Sequence, residues 1–287
     1  MVLIADSAVQ ISNKDILELG VEIVNYPLLV DGNPYPASMD MDEEAKETIR
    51  MILKDKKRNV GTSGLREDEL LEIYRKHAGE SVISLHMASS ASTATSQVIS
   101  KIIKEHPELD VSFYNSRHLV SGYSIIVQEA AKRIRDGAGK EEMDYFLKTV
   151  PEQTRLMGVV FDLFYLNRTG RIGKAKAVMG TAMKVIPLLC STDPPGNLKS
   201  AGKVKKPAQA IRKIVDTISA DRDKNPSAAL RAIISVIGPH KEEAEELQKE
   251  VLKLGGDTEV NLYGTNHSNL PHAGPDFFDI GYMLTDL

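Results

Sequence analysis

SVISLHMASSASTATS, residues Ser81 to Ser96, changes character halfway along. It begins apolar, with Val82, Ile83, Leu85 and Met87. It then turns almost entirely to hydroxyls: Ser89, Ser90, Ser92, Thr93, Thr95 and Ser96. Val98, Ile99, Ile102 and Ile103 follow at helical spacing. The pattern predicts a buried strand, a turn, and a helix whose first turn is crowded with hydroxyls. A helix start exposes unpaired backbone N–H groups at the positive end of the peptide dipoles. Hydroxyls beside those groups suit an anionic head such as a carboxylate or a phosphate. Ser and Thr are also preferred N-caps, so a plain cap is the competing reading. A cap needs one hydroxyl, and six within eight residues favour the anion site.

Outward toward the N-terminus, Val2-Leu3-Ile4 is a short apolar run closed by Asp6-Ser7. Ser12 or Asn13 predicts the cap of a helix over Asp15 to Leu19, and Val21 to Val24 a strand. Asp31-Gly32-Asn33 is a tight-turn signal that allows a hairpin. Asp40 to Asp42 starts a helix over Glu43 to Lys54. Thr62 or Ser63, with Glu67, reads as the cap of a helix carrying Leu70, Leu71, Ile73 and Tyr74. In the other direction, Leu109 to Tyr114 reads as a strand and Val120 to Arg135 as a helix. This alternation predicts an α/β fold with a mostly parallel sheet flanked by helices. Ligands of such sheets lie at the carboxyl ends of the strands. Asp6-Ser7, the hydroxyl cluster and Asn115-Ser116 all fall at such ends.

Gly137-Ala138-Gly139 breaks the pattern, and Lys140 to Val150 is a further helix. The chain of 287 residues is expected to divide near Pro151 into two α/β domains, 1–150 and 151–287, consistent with usual domain sizes of about 100–200 residues. In the second half, Leu156 to Phe161 reads as a strand. Ala175 to Ile186 reads as a helix burying Met179 and Met183. A turn at Pro194 to Asn197 suggests a hairpin. Ala208 to Ser219 is a helix, Ala229 to Ile237 a buried strand, Pro239 to Leu254 an amphipathic helix, and Glu259 to Tyr263 the last strand. A polar loop from Thr265 to Pro275 carries His267 and His272.

Lys and Arg number 36 against 40 Asp and Glu, a net charge of −4. There is no basic stripe of the kind that nucleic-acid binding needs. The single cysteine, Cys190, cannot form an internal disulfide and fits a reducing compartment. It reads as a small core residue. MVLIADSAVQ lacks the basic flank and apolar core of a signal peptide. No run reaches the roughly 18 apolar residues of a membrane span. The expected location is the cytoplasm, with no integral membrane segment.

The chain has no phosphate-binding glycine loop, nucleophile elbow, H-E-x-x-H or C-x-x-C. His267 and His272 have no evident third metal ligand, so no metal site is expected. A Ser92–His272–Asp6 hydrolase can be written on paper, but nothing resembling a nucleophile elbow supports it. What remains is a set of loop hydroxyls, Thr62, Ser63 and Ser89 to Ser96, with His272. Together they could hold a carboxylate through charge-assisted hydrogen bonds.

Seven segments, in order, resemble those of the DegV family, bacterial fatty-acid-binding proteins that serve as lipid-carrying subunits of fatty acid kinase. Ala5-Asp6-Ser7-Ala8 resembles the family's T-D-S-T. Tyr26-Pro27-Leu28 with Gly32 and Tyr35 resembles its P-L segment and turn. Gly61-Thr62-Ser63 resembles T-S-Q-P, Ser89-Ser90-Ala91-Ser92-Thr93 resembles S-S-x-L-S-G-T, and Asn115-Ser116 resembles D-S. Leu163 to Ile172, LFYLNRTGRI, is similar to L-x-Y-L-x-x-G-G-R-I. His272-Ala273-Gly274-Pro275 resembles H-T-G-P-G.

The resemblance implies two α/β domains with a fatty acid between them. It places the carboxylate on Thr62, Ser92 and His272, with Ser63 and Thr93 beside them. Phe161, Phe164, Met179 and Met183 are acyl-slot candidates, along with Met157 and Ile186. It implies no cofactor, a long-chain fatty acid as ligand, a fatty acid kinase catalytic subunit as partner, and no catalysis by this chain. The alternatives are an enzyme acting on a small acyl or phosphorylated substrate through Ser92 and His272, and a regulatory module whose lipid site has decayed. The chain departs from the family pattern at several points. Thr93-Ala94 stands where the family has Gly-Thr, Gly64-Leu65 where it has Gln-Pro, and Asp276 where it has Gly. Asp276 could repel a bound carboxylate or pair with His272. An arginine of the segment after the hairpin is absent, with Lys203, Lys205 and Lys206 nearby, and the acidic position after the Tyr35 turn is Ala37, with Asp40 three residues on. Both of those regions are linked in the family with docking to the kinase.

Overall fold

The computed structural model describes residues 1–39, 41–178, 185–192 and 195–285. The first half runs β1 (Val2–Asp6), α1 (Asn13–Glu18), β2 (Val21–Val24), β3 (Leu28–Val30), β4 (Asn33–Tyr35) and α2 (Glu43–Lys54). It continues with β5 (Val60–Thr62), α3 (Glu67–Lys76), β6 (Val82–His86), α4 (Thr93–Glu105), β7 (Val111–Asn115) and α5 (Val120–Arg135). β2, β1, β6 and β7 lie side by side in that order as a parallel sheet. All five residues of β6 are buried, as a strand covered on both faces requires. Its helix α4 starts one residue after Ser92, where the change of pattern within residues 81–96 places it.

β4, β3 and β5 form a separate antiparallel sheet. The β3–β4 hairpin turns at Asp31 and Gly32 with φ of +53° and +81°, the two positive values that a twisted two-residue turn needs. Register places Thr62 opposite Leu28. Thr62 therefore ends a strand and caps no helix. The N-cap of α3 is Arg66, and Ser63 to Arg66 form a connection that belongs to neither strand nor helix.

The second half runs α6 (Lys140–Gln153), β8 (Thr154–Val160), α7 (Phe164–Arg168), a 3₁₀ turn over Gly173–Val178, β9 (Ile186–Ser191) and β10 (Leu198–Val204). Then come α8 (Pro207–Arg222), β11 (Ala229–Ile237), α9 (Lys241–Leu252), β12 (Thr258–Gly264), α10 (Leu270–Ala273) and β13 (Phe277–Thr285). The strands form one sheet in the order β10-β9-β8-β13-β11-β12, parallel only between β11 and β12. The helix expected over Ala175 to Ile186 is not what is seen. Its first residues lie in the 3₁₀ turn, 179–184 fall outside the described residues, and Ile186 and Pro187 belong to β9. β9 and β10 pair antiparallel, as the expected hairpin requires, and Pro194 of its turn falls outside the described residues.

β13 was not expected, and it lies inside the sheet between β8 and β11. Its residues alternate. Phe278, Ile280 and Tyr282 join the core cluster that holds Ile211, Ile214 and Ala244 of α8 and α9. Met283, on the other face, joins the cluster of the parallel sheet, together with Ile233 of β11 and Tyr123, Ile126 and Val127 of α5. Helix α5 is buried from Ser121 through Gln128, as a helix enclosed between two sheets must be. It seats directly on β13 at Gly281, where a Cβ would lie 2.2 Å from the Ser121 carbonyl carbon.

Gly281→Ala forces backbone against backbone, so the variant is expected to lose about 3 kcal/mol, at the upper end for overpacking. Urea denaturation with an unchanged slope measures it. An unshifted midpoint would contradict the close seating of α5.

Candidate functional site

The carboxyl ends of the parallel strands, the start of α5 and the cavity-facing side of β13 surround one cavity. Tyr26, Thr62, Ser63, Met87, Ser92 and Thr93 line it from the first half, and Leu119 and Val120 from the start of α5. Leu156, Val160, Leu166, Leu189, Leu198, His272 and Phe277 line it from the second half. The five head-group candidates of the sequence, Thr62, Ser63, Ser92, Thr93 and His272, thus all line one cavity. Val120 holds φ at +41°, a costly conformation for a β-branched residue, so its surroundings over-determine that part of the wall.

Thr62 Oγ1 and His272 Nε2 lie 2.9 Å apart. Arg168 fixes the strand under Thr62 by donating to the carbonyls of Arg58 (2.9 Å) and Val60 (3.2 Å). His272 rides on α10, which ends at Gly274 with φ +91°, where a Cβ would stand 2.6 Å from the Tyr165 ring. The polar loop before it is strapped to the first half. Ser268 Oγ donates to Ser7 O (2.6 Å), Asn269 Nδ2 to Ala8 O (2.9 Å), and the Asn266 N–H to Gln10 Oε1 (2.8 Å). Among the described residues, His272 Nδ1 is shielded from solvent and has no hydrogen-bond partner. The pair therefore offers a spare donor in either tautomer. If Nε2–H donates to Thr62, the threonine hydroxyl proton is free. If Thr62 donates to Nε2, the imidazole proton sits on Nδ1.

Ser92 occupies the N-cap position of α4, yet its side chain makes no cap bond. Its hydroxyl lies 2.8 Å from Thr95 Oγ1, the first link of a buried chain. Tyr26 OH is 3.0 Å from Thr95 Oγ1 and donates to Asp6 Oδ2 (3.3 Å). Asp6 Oδ2 meets His86 Nδ1 (3.0 Å), and His86 Nε2 meets Ser84 Oγ (2.7 Å). Asp6 also accepts the N–H groups of Ala8 and Met87. The paper hydrolase is not assembled: Asp6 orients His86, and His272 faces Thr62.

Asp276 neither faces nor pairs with His272. Its carboxylate is bound by Arg50 Nη2 at 2.9 Å, and Arg50 Nε also donates to Pro275 O. Phe161 and Phe164 lie off the cavity wall. Phe161 stacks on His240 with centroids 3.8 Å apart, and Phe164 lies under Lys56 and Arg168. Met157 packs on the α8–α9 side of the sheet. Met179 and Met183 fall outside the described residues. The apolar wall instead comes from leucines and valines of β8, β9, β10 and α7, and from Leu119 and Phe277. Periodicity could not separate these residues from ordinary core.

Two wall residues were not anticipated. Arg171, present only inside a matched motif, lines the cavity with Nε donating to Ala91 O at 3.1 Å. Asp279, on the unexpected strand, lines it too. His267 lies against Tyr26 O at 3.4 Å. Among the described residues no three His, Cys, Asp or Glu side chains are placed to hold a metal, and no helix is long and apolar enough to cross a membrane.

The sequence model of the DegV family, described as "Uncharacterised protein, DegV family", matches residues 1–285. A DegV domain-containing protein of Caldanaerobacter subterraneus subsp. tengcongensis is 27% identical over 289 residues, covering 96% of this chain and 95% of the relative. Among solved structures, a fatty-acid-binding DegV family protein from Thermus thermophilus superposes with a TM-score of 0.87 at 23% identity, covering 99% of both chains. A stearic acid-binding protein from Eubacterium ventriosum gives 0.84 at 20% identity, over 99% of this chain and 98% of its own.

Burial, with Arg171 and Arg168 nearby, holds the His272 imidazole down to about 3, so it is neutral at pH 7. An unfolded histidine takes up a proton near pH 6.5. Between those values the unfolded chain binds a proton that the native chain refuses. Stability on this account is complete above about pH 6.5 and is lost as pH falls toward 3. In His272→Gln, the loss of unfolding free energy between pH 7 and pH 4 is expected to shrink by about 3 kcal/mol. Denaturation at the two pH values measures it, and an unchanged loss would mean that the ring is not shielded.

Proposed function

Because the chain belongs to the DegV family, we propose that it is a fatty-acid-binding protein. One long-chain fatty acid lies in the cavity between residues 1–150 and 151–287, the two domains of this reading. The observation that carries the proposal is the Thr62–His272 pair, with its spare donor, beside the Ser92 hydroxyl that caps nothing, all on one largely apolar cavity. A carboxylate takes charge-assisted hydrogen bonds from such neutral donors. Arg171 adds a cation on the same wall.

The acyl chain runs along Leu119, Leu156, Val160, Leu166, Leu189 and Leu198. Burial is worth about 0.8 kcal/mol per methylene, so a long chain supplies most of the affinity and the head group mainly sets orientation. The chain itself performs no chemistry in this reading. It presents a carboxylate oxygen to a separate fatty acid kinase subunit, in the reducing cytoplasm that a lone cysteine fits.

Native mass spectrometry of protein purified from its host is expected to show one fatty acid per chain. Thr62→Ala, Ser92→Ala and His272→Ala should each weaken uptake by about tenfold or more, the value of a hydrogen bond to a charged group. Recovery of no lipid, together with no stoichiometric uptake on incubation, would sink the proposal.

A further inference from the structure

Asp279 is a carboxylate in the wrong place for a purely apolar slot. It is 2% exposed and lines the cavity from the first part of β13. Its cross-strand neighbours are Ser235 on β11 and Gly158 on β8. Gly158 also lines the cavity, and because it has no side chain, nothing on that strand covers the carboxylate. On the remaining side, the close seating of α5 at Gly281 brings Ser121 over β13.

The hydrogen bonds are uneven. Oδ1 accepts from the Ser121 hydroxyl at 2.7 Å and from the Ser235 hydroxyl. Among the described residues, Oδ2 takes one weak hydrogen bond, from the Ser121 N–H at 3.3 Å, and the Ser235 N–H also lies against the carboxylate. A carboxylate has about four acceptor sites, so Oδ2 retains capacity. Burial pushes this carboxyl up to about 6, which still leaves it an acceptor at neutral pH. A buried, incompletely paired carboxylate is costly, and that cost falls when a ligand brings a donor to it. An aliphatic chain brings none and would leave Oδ2 facing methylenes.

We propose that Asp279 is a specificity-determining residue and that the preferred ligand is a hydroxylated fatty acid. The ligand's carboxylate sits at Thr62, Ser92 and His272, and its chain hydroxyl donates to Asp279. This deepens the fatty-acid reading and rests on it. A hydroxyl matches the site better than an ammonium group, whose desolvation in an apolar cavity costs far more. Ser121 and Ser235 position the carboxylate by engaging Oδ1, which leaves Oδ2 for the ligand.

The test is to titrate the full chain, stripped of lipid, with stearate and with a set of monohydroxystearates whose hydroxyl is moved along the chain. At least one isomer is expected to bind about tenfold more tightly than stearate, the equivalent of one good hydrogen bond. In Asp279→Leu that preference should vanish or reverse. In Asp279→Asn, which keeps an acceptor and the shape, it should shrink. If stearate binds wild type as tightly as every isomer, the inference falls and the fatty-acid reading stands. If the preference survives in Asp279→Leu, Asp279 is not its source. If no member of the set binds, both readings fall. The wild-type comparison decides the matter even if a variant fails to fold.

Discussion

Helix α5 touches strand β13 backbone to backbone, and much of the molecule depends on that contact. A side chain at Gly281 would occupy the space of the Ser121 carbonyl carbon, so glycine is what lets the helix come down onto the sheet. The consequence is a shared core. Ile233 and Met283 of the second sheet belong to the same buried cluster as the parallel sheet's Ile4, Ile83 and Leu85. A helix clamped in this way has little freedom to tilt, and its first residues, Leu119 and Val120, become fixed parts of the cavity wall. The same contact delivers the Ser121 N–H and hydroxyl to Asp279.

The other joint between the halves is polar. Three donors of the 266–269 segment reach Ser7 O, Ala8 O and Gln10 Oε1, just past the carboxyl end of β1. Strand ends expose backbone carbonyls that no ladder satisfies, and buried carbonyls require partners. The loop supplies them, and in doing so carries His272 to Thr62. The buried chain from Ser92 through Thr95 and Tyr26 to Asp6 works on the other wall. Fully paired polar networks of this kind rigidify their surroundings. One wall of the site is therefore held by the second half's loop and the other by the first half's strand ends.

Much of this was legible, and the limits have physical causes. Val82 to Met87 followed by hydroxyls and an Ile-rich helix could only be strand, turn and helix, because the period changes from 2 to 3.6 within a few residues. Thr62, Ser63, the Ser89 to Ser96 hydroxyls and His272 stood out as loop groups able to hold an anion, and the resemblance to the DegV family singled out Thr62, Ser92 and His272 among them. Thr62 as a helix cap failed, because the pairing that makes it a strand residue is with Leu28, far away in sequence. β13 was missed: Phe278-Asp279-Ile280-Gly281 alternates, but it follows a Gly-Pro loop and is followed by Tyr282-Met283-Leu284, apolar on both faces because one packs on α8 and α9 and the other on α5. Acyl-wall residues cannot be told from core by pattern, as both are apolar and buried. Arg50, which draws Asp276 away from His272, depends on a contact that no local signal announces.

The protonation state of His272 bears on what kind of site this is. An efficient general base needs a pKa near the working pH. The buried ring sits near 3 and is bonded to Thr62, while the Ser92 hydroxyl is engaged with Thr95. A proton delivered to that imidazole would be poorly held, so the arrangement suits proton abstraction badly. The same properties favour holding an anion. A neutral imidazole costs little to bury, keeps a donor in either tautomer, and does not have to lose a proton first. A carboxylate that settles beside it would in turn favour its protonated form, so any proton uptake at His272 is a consequence of binding and strengthens it.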